Sequence, residues 1–320
     1  MIKVKDFMKL EPGTERRVPD LEIYDEFYFG KDFENRFFFS FRGKFNKIEN
    51  TLSTEAIKIN IIEEKSGFLQ LRFILLDQIL EALFIKVMYN FIDEISRCDD
   101  SYSDNDKLLK ILTIFNDWKS LLKNARSNKL SDQKIIGLIG ELIFLKKLIK
   151  ATDNILPCFE AWTGPGGGDE DFSWKQTLYE IKATSSAKNN KVTINSLRQL
   201  NEKYIKSYLV HVSMSRSDNE DNNSLSLFGI CEEISKKIGS DFNVKTLFYD
   251  KLLKVGYVHE PRYKTPIFNL DKKTFYHVSE TFPVIKTNEV DARVTNVRYD
   301  LDLGKCSEFI VDADICLGEL

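Results

Sequence analysis

The chain has 320 residues, of which 42% are hydrophobic and 12% aromatic, and its 46 basic and 49 acidic side chains give a formal charge of -3. That composition excludes a disordered or collagen-like chain and supplies enough apolar mass for one or two folded domains. The charge excludes a uniformly basic coat for gripping polyanions but leaves room for a local basic groove.

The opening run Met1-Ile-Lys-Val-Lys-Asp-Phe7 lacks the apolar core of a signal peptide. The apolar stretch at residues 80–91 is broken by Glu81 and Lys86, with Asp93 just beyond, so it does not read as a membrane span. A cytoplasmic protein with no membrane partner is expected. Residues 21–29 and 36–42 alternate aromatic or β-branched side chains with polar ones, which predicts strands. Residues 56–63 and 68–75 predict a hairpin turning at Lys65-Ser66-Gly67, so the first 76 residues read as a β-rich region.

Asp77 is placed to cap a helix over 78–96, and the polar run 98–106 reads as an exposed connector. Leu108, Leu109, Ile111, Leu112, Phe115, Trp118, Leu121 and Leu122 keep helical spacing through to Asn124. Ser131 can cap a third helix over 132–150. Beyond it, Gly164-Pro-Gly-Gly-Gly168 leads into short strands around Phe172 and Ile181. A helix over 194–204, a strand over 208–214 and a polar loop over 215–224 follow. The remainder predicts helices at 231–237 and 241–254 and strands at 274–278, 294–301 and 308–311. The order implies an α/β fold with a mixed central sheet flanked by helices. It divides into an N-terminal β-rich region with helices, residues 1–125, and a second domain, residues 126–320.

The chemistry concentrates in the run from Gly168 to Thr184. On a strand, Glu180 and Lys182 point to one face while Tyr179, Ile181 and Ala183 point to the other. If residues 171–174 form the preceding strand and the turn has two residues, Asp171 lies opposite Glu180 or Lys182 on that same face. A three-residue loop breaks this convergence. Two carboxylates held close together repel unless a cation separates them, and their hard oxygens suit Mg2+ or Mn2+, with the Ile181 carbonyl as a further donor. Lys182 can then orient a water or neutralise developing charge, which is the chemistry of phosphodiester hydrolysis. A Glu-x-Lys triplet alone is common on solvated strand faces, so the context decides.

That context is a set of runs in order and spacing: Gly137-Leu-Ile-Gly-Glu141, Trp162-Thr-Gly-Pro165, Asp171-Phe172, Glu180-Ile-Lys-Ala-Thr184 and Ile194-Asn-Ser-Leu-Arg-Gln-Leu200. Over residues 134–206 the chain resembles a bacterial family of PD-(D/E)XK proteins. The resemblance implies a restriction-endonuclease-like core in the second domain, with a C-terminal extension, and a metal-dependent nuclease serving in defence against foreign DNA. It implies that Asp171 and Glu180 are metal ligands, that Lys182 is the catalytic lysine and that Glu141 is the additional helix acid. The Pro-Asp dipeptide of the pattern is absent, with Asp169-Glu-Asp171 after a triglycine in its place. Asp169 therefore stands as an alternative to Asp171, which is preferred because it opens the alternating strand.

Glu141 borders the apolar helix face beside Leu145 and Leu148. Gly137 and Gly140 each cost the helix about 1 kcal/mol relative to Ala, which points to close packing or ligand approach. From Lys182 to Lys206 the chain carries Lys182, Lys188, Lys191, Arg198, Lys203 and Lys206 against the single acid Glu202. Lys188, Lys191, Arg198, Gln199 and Lys203 are thus expected to meet nucleic acid, mostly at phosphates.

Other signals lead nowhere. Gly164-Pro-Gly-Gly-Gly168 lacks the Gly-Lys-Ser/Thr of a phosphate loop and reads as a flexible hinge. His211, His259 and His277 are scattered, and the five cysteines form no Cys-x-x-Cys pair, so packing or surface roles are expected for both. Arg293 and Arg298 near the C-terminus could touch nucleic acid, but nothing local distinguishes them. The leading function is Mg2+-dependent endonucleolytic cleavage of DNA. The rivals are a non-catalytic binding module on the same fold and a nuclease for RNA or for branched or modified DNA. Double-strand cleavage needs two active sites, so a homodimer, an ATP-driven motor or another defence-system subunit is an expected partner.

Overall fold

The structure, a computed structural model, describes residues 7, 9–18, 26–47, 53–99, 101–152, 154–168, 170–174, 176–185, 190–197, 199–200, 206–218, 224–239, 241–291 and 293–313. The chain divides into two compact units, Met1–Ser127 and Asn128–Leu320.

In the first unit, strands β1 (Glu15–Arg17), β2 (Phe27–Lys31), β3 (Phe37–Gly43), β4 (Ile57–Glu63) and β5 (Leu69–Leu75) form an antiparallel sheet in the order β1-β2-β3-β5-β4. The β4–β5 hairpin turns where expected, with Gly67 at φ +79°, a conformation that favours glycine. Helices α1 (Glu81–Ser96) and α2 (Asp104–Ser127) follow. The sheet is held to them by rings: Phe91 of α1 lies 5.1 Å from Phe73, and Phe115 of α2 lies 5.2 Å from the same ring. Each such buried ring contributes about 1.5–3 kcal/mol. Two boundaries differ from the sequence reading. A 3-10 turn over Gln78–Leu80 precedes α1, and α2 begins inside the expected connector, at Asp104. Of the strand expected over 21–29, residues 21–25 lie outside the described residues.

The second unit begins with α3 (Asp132–Lys150), whose N-terminus is capped as expected by the Ser131 hydroxyl accepting from the Lys134 N–H at 3.3 Å. Next come α4 (Leu156–Ala161), β6 (Phe172–Trp174), β7 (Thr177–Thr184), β8 (Lys191–Ile194), β9 (Lys206–Ser217) and β10 (Ser224–Leu225). The chain closes with α5 (Leu227–Ile238), α6 (Phe242–Lys254), β11 (Ile267–His277), β12 (Tyr299–Asp302) and β13 (Ile310–Val311). The main sheet runs β10-β11-β9-β7-β6, with β13 also paired to β11. Its β7–β9 pair is parallel and its other pairs antiparallel, which makes it mixed as expected.

Alternation along the central strands separates two cores. Tyr179, Ile181, Val210, Val212 and Phe275 join the apolar residues of α3, α5 and α6. On the opposite face, Leu209 and Tyr276 pack with Val192, Ile194 and Leu301 of a two-stranded ribbon, β8–β12, and with Leu303 just after it.

The helix expected over 194–204 is not found among the described residues. Ile194 ends a strand, the described residues after it form no helix, and residues 198 and 201–205 lie outside the described set. Val192 and Ile194 alternate with Lys191 and Thr193, so pairing with β12 buries both apolar side chains, which local helical spacing could not reveal. Strand β9 continues to Ser217 and β10 opens at Ser224, trimming the expected polar loop from both ends. Strand β11 starts seven residues earlier than the expected 274, because a register shift between Leu270 and Lys272 hides its period. The strand expected over 294–301 is confined to β12. Among the described residues, no helix is long and apolar enough to cross a membrane.

Candidate active site

The β6–β7 hairpin sets the site's register. Phe172 pairs with Tyr179 and Trp174 with Thr177, so two residues separate the strands and Asp171, one step upstream of β6, falls level with Glu180. A short bond locks it there: the Ile181 N–H donates to Asp171 Oδ2 at 2.7 Å. The Asp171 carbonyl accepts from the N–H groups of Thr163 and Gly164 at 2.9 and 3.1 Å. The glycine-rich segment is therefore an ordered 3-10 turn over Gly164–Gly166, in place of the flexible hinge the sequence suggested. A side chain at Gly164 would put its Cβ 3.1 Å from Asp171 Oδ1 and 3.4 Å from Glu141 Oε2.

Helix α3 brings Glu141 from the other side. It lies close on β7 because a Cβ at Gly140 would stand 2.8 Å from the Ala183 Cβ, so only glycine permits this approach. Gly137, one turn earlier, would meet nothing within 4 Å and borders a cavity. Of the two roles the sequence allowed for these glycines, Gly140 takes close packing and Gly137 leaves open space. Glu141 Oε2 accepts from the indole N–H of the buried Trp162 at 2.6 Å. The Trp162 carbonyl in turn accepts from the Lys251 ammonium of α6.

On β7, Lys182 Nζ lies 2.7 Å from Glu180 Oε1 and donates to Gln199 Oε1 at 3.3 Å. Gln199 is itself fixed by the Asn195 N–H at 2.9 Å. Glu180 is only 3% exposed, and its Oε2 is buried with no hydrogen-bond partner among the described residues.

These surroundings disfavour negative charge. Burial, with the Asp171 charge added, pushes the Glu180 carboxyl up to about 8 despite the offsetting Lys182. Burial pushes Asp171 up to about 6, opposed by the Ile181 N–H and Lys182. Glu141 rises well above the carboxylate range through burial and the Asp171 charge, with the Trp162 N–H opposing.

Among the described residues, no three His, Cys, Asp or Glu side chains form a ready-made metal cage. The donors here are facing carboxylates, one with an unused buried oxygen, and a strand carbonyl at Ile181. Such a partial oxygen shell fits Mg2+ or Mn2+, since Mg2+ takes one or two carboxylates and keeps waters and substrate oxygens for the rest.

The acids and Lys182 border one cavity of about 620 Å3. Lys191 and Gln199 line it too. Lys188, Arg198, Lys203 and the alternative ligand Asp169 lie outside the described residues. Sequence reasoning named Arg298 but could not single it out as bordering the same cavity, and it missed the Trp162–Glu141 bond. Both are contacts between distant segments, and the Trp162-Thr-Gly-Pro run was the only local hint of the second. His211 is buried, with its Nε2 3.1 Å from Thr184 Oγ1 beside the cavity. Burial lowers its basicity, in keeping with a packing role. Cys158 and Cys231 are buried thiols pushed up to about 11 and about 12, while Cys316 lies outside the described residues.

A family model described as "Putative PD-(D/E)XK family member, (DUF4420)" matches residues 8–304. Neither the curated proteins nor the solved structures returned a match.

Proposed function

The chain belongs to that PD-(D/E)XK family, and from this premise we propose that it is a metal-dependent nuclease hydrolysing phosphodiester bonds in DNA, with unit Asn128–Leu320 as its restriction-endonuclease-like core. The observation that carries the reading is the meeting of Glu141, Asp171, Glu180 and Lys182, from a helix, a strand entry and a strand, at one cavity.

In this reading Asp171, Glu180 and the Ile181 carbonyl hold Mg2+ or Mn2+, with Glu141 beside them. When bound, such an ion supplies Lewis acidity toward a phosphate oxygen and neutralises charge. The chain's own groups do the positioning. Lys182, held between Glu180 and Gln199, orients the attacking water and stabilises charge developing on the phosphate. The Ile181 N–H aims Asp171, and the Trp162 indole aims Glu141. Endonucleolytic action and defence against foreign DNA rest on the sequence resemblance, as does a second copy or a motor subunit for double-strand scission.

The test is incubation of the purified protein with duplex, single-stranded and branched DNA and with RNA, in Mg2+, Mn2+ or chelator. Metal-dependent cleavage of DNA is expected. Binding without cleavage in any metal would leave a binding module, and cleavage confined to RNA would change the substrate class.

A further inference from the structure

We propose that Arg298 is a phosphate-binding residue of this site, carried to the cavity by the β8–β12 ribbon; the inference rests on the nuclease reading above. The cavity is rich in acid, with Asp132, Glu141, Asp171 and Glu180 all bordering it. A polyanionic substrate entering it needs cations that are not already committed. Lys182 is committed, since its ammonium sits between Glu180 and Gln199. Arg298 borders the cavity, is exposed, and forms no ion pair or hydrogen bond with any described residue.

Its neighbour in sequence shows the contrast. Arg293 also lies in the segment leading to β12, but it grips Asp291 through Nε at 2.9 Å and through a second nitrogen at 2.8 Å, so its charge is neutralised locally. Sequence could not separate the two arginines; their partners do.

The ribbon gives Arg298 a fixed station. Tyr299 pairs with Ile194, which puts Arg298 level with Asn195, itself at the cavity. On β8, Lys191, Val192 and Thr193 border the cavity, while Val192 and Ile194 also anchor the strand in the second core. The Thr193 hydroxyl donates to Asp300 Oδ1 at 2.7 Å, and the Leu303 N–H donates to the Asn190 carbonyl at 2.8 Å, tying the strands together beyond their pairing. A planar guanidinium one residue before an anchored strand suits two-point contact with a phosphate.

The experiment titrates fluorescein-labelled duplex and single-stranded DNA into the protein at a series of salt concentrations, in the Lys182→Ala background so that no strand is cut during the titration. Arg298→Ala should weaken binding about tenfold, the scale of one charged hydrogen-bonding contact. It should also reduce the log–log salt slope by about one. Arg298→Lys should recover part of the affinity, and Arg293→Ala should match its parent. With Lys182 intact, Arg298→Ala should raise KM more than it lowers kcat. If the parent binds and cuts while Arg298→Ala keeps its affinity, salt slope and KM, this inference alone is overturned. A parent that neither binds nor cuts any nucleic acid overturns the nuclease reading and this inference together.

Discussion

At the proposed metal site, the buried acids around Lys182 would make metal binding and stability interdependent. Glu180 and Asp171 hold their protons to about 8 and about 6 in the folded chain, whereas unfolded carboxyls release them near about 4. Between those limits the folded state binds more protons than the unfolded one, so stability falls as pH rises through the window. A divalent cation favours the deprotonated acids and opposes that loss. In chelator, the protein should therefore melt lower at pH 8.5 than at pH 5.5, and Mn2+ should restore far more at the higher pH. Asp171→Asn should remove most of that restoration. A metal-induced shift equal at both pH values, or undiminished in Asp171→Asn, would detach these carboxyls from metal binding. This core of the site was legible in the sequence because strand period and turn length are local quantities. The Trp162–Glu141, Lys182–Gln199 and Arg298 placements were not, since each joins segments that only the tertiary fold brings together.

At the scale of elements, α3 on β7 is the contact that aims Glu141, and its two glycines should respond to substitution with opposite signs. Gly137→Ala adds a methyl into open space and improves helix propensity, so it should raise the melting temperature by about 2–4 °C. Gly140→Ala makes the same propensity change but drives its methyl against the Ala183 Cβ, which no side-chain rotation can move aside. It should lower the melting temperature and slow any cleavage by displacing Glu141. Paired melting curves test this, and a stabilised Gly140→Ala protein would contradict the packing account. The capped start of α3, the β4–β5 hairpin and the core of β9 were readable from caps, turn residues and alternation. Strand β8 was missed, and a helix was expected from its last residue onward, because its partner β12 is about a hundred residues away and Leu197 and Leu200 continue an apolar spacing beyond Ile194.

For the molecule as a whole, a net charge of -3 does not by itself oppose a nucleic-acid substrate, because Lys182, Lys191 and Arg298 border the cavity and a bound divalent cation would offset the acids that line it with them. The central claim is that the gathered residues form a catalytic site, and Lys182 separates catalysis from binding most cleanly. A lysine that stabilises the transition state raises the rate without tightening ground-state binding, so its loss should appear in kcat. The decisive measurement is single-turnover cleavage of DNA at saturating Mg2+ or Mn2+ by the parent and by Lys182→Ala, with circular dichroism and DNA affinity recorded for both. The account expects a folded variant with near-parental affinity that cleaves at least about a hundredfold more slowly, the scale of one electrostatic catalytic group. A folded Lys182→Ala protein that cuts at the parental rate would contradict it.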